Sequence, residues 1–329
     1  MLEEHSVGLL VAIVGSVVVF FFGLIVNLSH ITQRYTSSPL IPEILNDGSS
    51  NDTSPFQLPV SLAAWSISIW GVVYVCQFFW LAYSLAGICR RTALGPAYNN
   101  PKLLPVQVHF FFSLAVLTQV GWLVLMNRHS FIFALLNIVL STGCSLIALA
   151  ESYRSLTAVL PIMQQEERFV DLCAIRIFAQ NPLALFFVWI MLHAALTLTY
   201  FFTFGMETRH VSLRTGSLMD LCTAGFLMFV YVLGDLTIFD KFSRYVVLPY
   251  IGFVLFHAAQ LNKDWPSTRS PVFVLMAGLT AFTFLCVLVK FVALLCRHLV
   301  QREKESKAEV MTRPLVPDLE EETYLLQQN

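Results

Sequence analysis

Six ionisable side chains stand inside long apolar runs of the chain: His109, His193, Asp220, Asp235, His257 and Lys290. In hydrocarbon such groups are costly, and by default they mark a path for a proton, an ion or a polar ligand. At 100° per residue, Asp220, Tyr231 and Asp235 fall on one helical face with Thr223 beside them, a stripe that could border an aqueous pathway. The plainer reading is that both aspartates reach the interface or cap a helix end. Lys290, close to the end of its run, is within snorkelling reach of the headgroups. A second set is aromatic. Trp70, Tyr74 and Gln77 share a face of the run 60–85, which also carries Trp65, Trp80 and Tyr83. An interfacial belt would sit at the helix ends, whereas Trp70 and Tyr74 fall toward the middle. Amphipathic rings at that depth suit a pocket for a flat, mostly apolar ligand. The chain offers no nucleophile–base pair, phosphate loop or metal-ligand cluster, so neither enzymatic chemistry nor a cofactor is expected. Its seven cysteines show no CxxC pairing and sit mostly in apolar runs, which argues against zinc and against a disulfide framework.

The elements that must hold these residues follow from composition. Of 329 residues, 57% are hydrophobic and only 12% charged, against about 25% charged in soluble domains. A net charge of −1 gives no basic surface for nucleic acid. Eight apolar runs approach the roughly 20 residues that a crossing helix needs: 7–28, 60–85, 106–126, 131–150, 183–204, 217–239, 245–261 and 271–296. The expected fold is all-α, a polytopic transmembrane bundle. Run 245–261 is the weakest, short and carrying Pro249, so seven spans with one re-entrant segment stays open.

The side holding both chain ends carries about twice as many Lys and Arg as the other, which places both ends in the cytosol. The sequon Asn51-Asp52-Thr53 in loop 29–59 then lies outside, as glycosylation requires. Asn27-Leu28-Ser29 has the same pattern at the membrane edge. Residues 1–6 form a short cytosolic start and 297–329 a cytosolic tail, basic and then acidic, without a packed core. That tail holds Glu321, three residues, then Leu325 and Leu326, an acidic dileucine pattern that clathrin adaptors take as an extended peptide. It points to endosomal or lysosomal membranes, with the plasma membrane as the alternative.

Trp70-Gly71-Val72-Val73-Tyr74 resembles the WGxxY signature in the second helix of the translocator-protein family, the tryptophan-rich sensory (TspO) proteins. Pro59 before a tryptophan-rich helix is similar to that family's second span. Gln119 and Trp122 resemble its Asn-and-Trp pair in span three, with Gln in place of Asn. Pro182, Trp189 and Leu196-Thr197-Leu198-Thr199-Tyr200 resemble its fifth-span ending, with Thr199 where Asn is usual. The resemblance covers 7–204 and implies a five-helix core, with 205–296 adding about three further spans. It also implies a cavity for planar hydrophobic ligands, tetrapyrroles or sterols, lined by Trp70, Tyr74, Gln119, Trp122, Trp189 and Tyr200. The family's sterol-contact pattern is incomplete, since the first basic residue after Tyr200 is Arg209. Two other functions stay open: a secondary transporter of a small polar solute, using Asp220, Asp235 and the histidines, and an adaptor or scaffold acting through its tail.

Overall fold

The structure is a computed structural model that describes residues 6–36, 56, 58–92, 95–206, 211–263 and 270–312, with side chains left undescribed in 33–36 and 301–312. The helices are α1 Val7–Thr36, α2 Ile67–Cys89, α3 Val106–Asn127, α4 Phe131–Gln165, α5 Phe169–Gly205, α6 Leu213–Leu236, the single turn α7 Asp240–Ser243, α8 Leu248–Lys263 and α9 Pro271–Thr312. A two-residue hairpin, β1 Arg91–Thr92 with β2 Gly95–Pro96, links α2 to α3. The chain is an all-α membrane bundle. It divides into two units: residues to 287 form the bundle proper, and from Leu288 the remainder of α9 is helical to Thr312.

Two helical hairpins close on left-handed residues. At the end of α3, His129 has φ 56°, Ser130 N–H reaches Leu125 O and His129 N–H reaches Met126 O, each at 3.0 Å. At the end of α4, Glu167 has φ 52°, with Arg168 N–H on Met163 O and Glu167 N–H on Gln164 O. These paired bonds satisfy carbonyls that a helix end otherwise leaves open. Helices α1 and α3 run side by side in the same direction, since Ser16 meets His109 at one end and Asn27 meets Gln119 at the other. Their approach needs Gly23: a Cβ there would lie 2.5 Å from Val116 Cγ1 and 2.9 Å from the Tyr74 hydroxyl. Small residues at such crossings let membrane helices touch backbone to backbone.

Helix α5 is the hub, buried on nearly all sides between Asn181 and Thr199. It is helical throughout, but 175–180 and 201–205 are π turns, single-turn widenings that re-aim side chains and leave ladder groups free. Asn181, just past the first π turn, uses that freedom: its amide donates to Arg176 O and Tyr245 O, and its oxygen accepts Val247 N–H and Leu248 N–H.

Seven helices among the described residues are long and apolar enough to cross a membrane. The eighth run is α8, with 16 residues, about 24 Å of rise and short of the roughly 30 Å core. Its length is explained by where it starts. Asn181 holds its first turn inside the bundle, and its far end meets residues 58–65, where Ala63 N–H binds Ala259 O and Trp65 Nε1 donates to Asn262. Gly252 abuts Leu185 and Val188 of α5, and Phe256 meets Trp189 one turn on, so α8 runs parallel to α5.

Candidate functional site

Three tryptophans predicted from the sequence converge. Trp70 of α2 lies 6.0 Å from Trp122 of α3 and 6.2 Å from Trp189 of α5, centroid to centroid. His193, one turn beyond Trp189, sits among them at 5.1, 5.4 and 5.0 Å. Phe256 of α8 closes the fourth side, edge-on to Trp189 and to His193. All five rings are buried. Edge-to-face and offset pairs at these separations each add about 0.5–1.5 kcal/mol beyond burial.

Some polar atoms of this cluster have protein partners and one fully buried atom has none. Trp122 Nε1 donates to Thr197 Oγ1 at 2.9 Å, and that hydroxyl donates to His193 O. His193 Nδ1 lies 2.8 Å from Trp189 O, a geometry that makes it the protonated nitrogen. Trp189 Nε1 is buried with no acceptor. His193 and Phe256 are the members that the sequence reading did not place there. His193 stood in the sequence as a lone histidine four residues after Trp189, and the spacing that puts both on one face was its signal.

Tyr74 and Gln119 form a separate group one turn away. The Tyr74 hydroxyl donates to Gln119 Oε1 at 3.0 Å and accepts from Asn27 Nδ2 at 2.9 Å, while Gln119 Nε2 donates to Asn27 Oδ1 at 3.3 Å. Asn27 is therefore a buried strut between α1, α2 and α3, and Ser29 of its sequon is buried with it. Tyr200 lies elsewhere again, stacked on Phe131 at 6.0 Å and tilted against Phe204. Asp220 and Asp235 both face α8, as one helical stripe requires. They are buried and bonded across helices: Gln260 donates to Asp220 at 2.6 Å and the Tyr250 hydroxyl to Asp235 at 2.6 Å. Ala224 and Met228, fully buried, separate the two, and Tyr231 packs on Tyr250, Phe253 and Phe187. The stripe is two polar struts with an apolar stretch between them.

At the opposite end of the bundle from Trp70, Asp171 in the first turn of α5 accepts from both Arg168 Nε and Arg168 Nη2, from Tyr83 and from Arg90. The hydrogen bond that Arg90 donates to the Asp171 carboxylate holds the guanidinium pKa above its ordinary value. A cavity of about 20 Å³ lies beside this cluster, bordered by Arg90, Tyr98, Ser84 and His109, room for about one water. Asn51, Glu321, Leu325 and Leu326 lie outside the described residues. Among those described, no group of three His, Cys, Asp or Glu side chains could hold a metal.

The family model described as TSPO-like protein matches residues 13–289. The chain belongs to the TSPO-like protein family. The match runs well past residue 204, through α6 and α8 and into α9. Comparison with curated proteins and comparison with solved structures each gave no match.

Proposed function

We propose that this multi-pass TSPO-like membrane protein binds a hydrophobic, largely planar small molecule between α2, α3 and α5, and senses or moves it without transforming it. The observation that carries the reading is the Trp189 N–H, buried without an acceptor in the middle of a ring cluster. An orphaned buried donor costs about 1–3 kcal/mol. A ligand presenting a carbonyl or carboxylate oxygen to it recovers that cost. The ligand's flat body exchanges indole–indole contacts for indole–ligand contacts of similar worth. Tyr74, Gln119 and Asn27 already satisfy one another, so they hold the helices that carry the indoles. Tetrapyrroles and sterols are the ligand classes that fit.

The test is equilibrium titration of the purified full-length protein in lipid nanodiscs with protoporphyrin IX and, separately, with cholesterol. Saturable quenching of tryptophan fluorescence by porphyrin, or saturable displacement of that quenching by sterol, is the expected result. Strictly linear responses to both would end the reading. The polar-solute transporter is the weaker alternative, because the aspartates it would use are separated by Ala224 and Met228.

We place both ends of the chain in the cytosol and Asn51 outside. Glycosidase treatment should then shift the wild-type protein on a gel and leave Asn51→Gln unmoved; an unshifted wild type would contradict this orientation. We assign Glu321, Leu325 and Leu326 to capture by a clathrin adaptor and hence to endolysosomal residence. Replacing both leucines with alanine should raise the surface-biotinylated fraction severalfold, and an unchanged fraction would contradict that assignment.

A further inference from the structure

We propose that Asp220, Gln260 and His257 form a binding site for a single proton within the membrane-spanning bundle, independent of the aromatic cluster. The three side chains are almost completely buried, at 0%, 0% and 1% exposure. Gln260 joins them: its Nε2 donates to Asp220 Oδ2 at 2.6 Å, and its Oε1 lies 3.0 Å from His257 Nδ1. With Asp220 ionised, the amide orients one way only. Its NH₂ faces the carboxylate, so its oxygen must accept from His257, which places the imidazole hydrogen on Nδ1 and leaves Nε2 a bare acceptor.

Two acceptors are then left over, Asp220 Oδ1 and His257 Nε2, both buried and without a partner. Among the described residues, nothing packed against them supplies a donor or a balancing charge. From α9, the Thr280 hydroxyl lies 2.8 Å from Met276 O and 3.3 Å from His257 O, both backbone acceptors. On α6, Ser217 donates to Leu213 O. From α5 comes His193, across Phe256, with Nδ1 turned to Trp189 O. The 3₁₀ turn before α2 meets α8 through the backbone of Ala63. Lys263, one turn beyond Gln260, sends its ammonium to Leu58 O and Ser61. An ionised Asp220 would be an unbalanced charge in hydrocarbon, which is strongly disfavoured.

One proton removes the imbalance. On Asp220 Oδ1 it forms an O–H bond and a neutral acid; on His257 Nε2 it forms an imidazolium that offsets the carboxylate across Gln260. A metal ion fits poorly, because Gln260 Oε1 and Asp220 Oδ2 are already engaged and no third ligand of His, Cys, Asp or Glu type stands near among the described residues. Asp220 lies about 10 Å along α6 from Leu213, and Gln260 is in the last turn of α8, so the proton exchanges with the aqueous phase on that side of the bundle. Phe256, adjacent to His257, touches Trp189 and His193, which gives occupancy of the proton site a short route to the aromatic rings.

The experiment is infrared difference spectroscopy of the full-length protein in lipid, without added ligand, between about pH 5 and pH 8. A carboxylic-acid or imidazolium signal present in the wild type and lost in Asp220→Asn is the expected result. Identical wild-type and Asp220→Asn difference spectra would overturn the site. Gln260→Leu keeps both titrating groups and removes the bridge, so the midpoint of the signal must move; an unmoved midpoint would also overturn it. Loss of the signal in high sodium at fixed pH would reassign the site to a metal cation and overturn the proton assignment.

Discussion

Trp189→Phe is expected to weaken protoporphyrin IX binding about tenfold while leaving thermal stability nearly unchanged. The two effects separate because the substitution removes one hydrogen-bond donor and keeps an aromatic ring. In the protein alone that donor has no acceptor, so its loss relieves a penalty of about 1–3 kcal/mol. The smaller ring loses packing against Trp70 and Phe256, a cost of similar size and opposite sign. With ligand bound, the missing N–H forfeits a bond worth about 1.4 kcal/mol, which is tenfold in affinity. If Trp189 only packs helices together, affinity and melting temperature will fall together or neither will change. The comparison needs porphyrin titration and a thermal melt on the same preparation.

Asp171→Ala should be the most damaging single substitution outside the aromatic cluster. Its carboxylate is the common acceptor for Arg168, Arg90 and Tyr83, and Arg168 also donates to Asn100 O, so one side chain ties α2, α5 and the loop before α3. The side chains of Asp171 and Arg168 are each 10% exposed, that of Arg90 45%. Removing one partner of a buried pair costs about 3–5 kcal/mol, and the half-exposed Arg90 puts the expected loss near the lower bound. That corresponds to a melting temperature lower by roughly 5–10 °C. The control is Arg154→Ala, whose pair with Glu151 has its guanidinium 81% exposed and should contribute under about 1 kcal/mol. Thiol-reactive dye unfolding would report both, and equal shifts in the two variants would contradict the role of Asp171.

Seven of the eight apolar runs became helices long enough to cross, with ends close to those of the runs, because lipid demands long apolar stretches. Run 106–126 became Val106–Asn127, and 60–85 became a helical segment from Ala64 to Cys89. The helices that extend past their runs do so in water: α4 continues through Glu151, Arg154 and Pro161 to Gln165, where hydropathy has stopped carrying the signal. The short α8 was legible as weak, but its cause was not, since Asn181 capping Val247 and Leu248 is a contact between distant segments. Pairings across helices were hidden for a related reason. A membrane helix is apolar on its lipid side and on its packed side, so periodicity fixes its rotation poorly. Trp70, Trp122 and Trp189 were placed together through family resemblance and do converge. Tyr74 and Gln119 were assigned to the same cavity and instead brace Asn27, one turn away. Tyr200 stands apart, on Phe131.

The proposed function requires a planar hydrophobic ligand to enter among Trp70, Trp122, Trp189 and His193. Photoaffinity labelling tests it most directly, using a diazirine-bearing porphyrin on the full-length protein in nanodiscs, followed by peptide mass spectrometry. The account predicts adducts on α2 around Trp70, on α3 around Trp122 and on α5 around His193, each abolished by excess unlabelled protoporphyrin IX. Adducts confined to lipid-facing residues such as Phe110 and Phe133, and unaffected by the competitor, would contradict it.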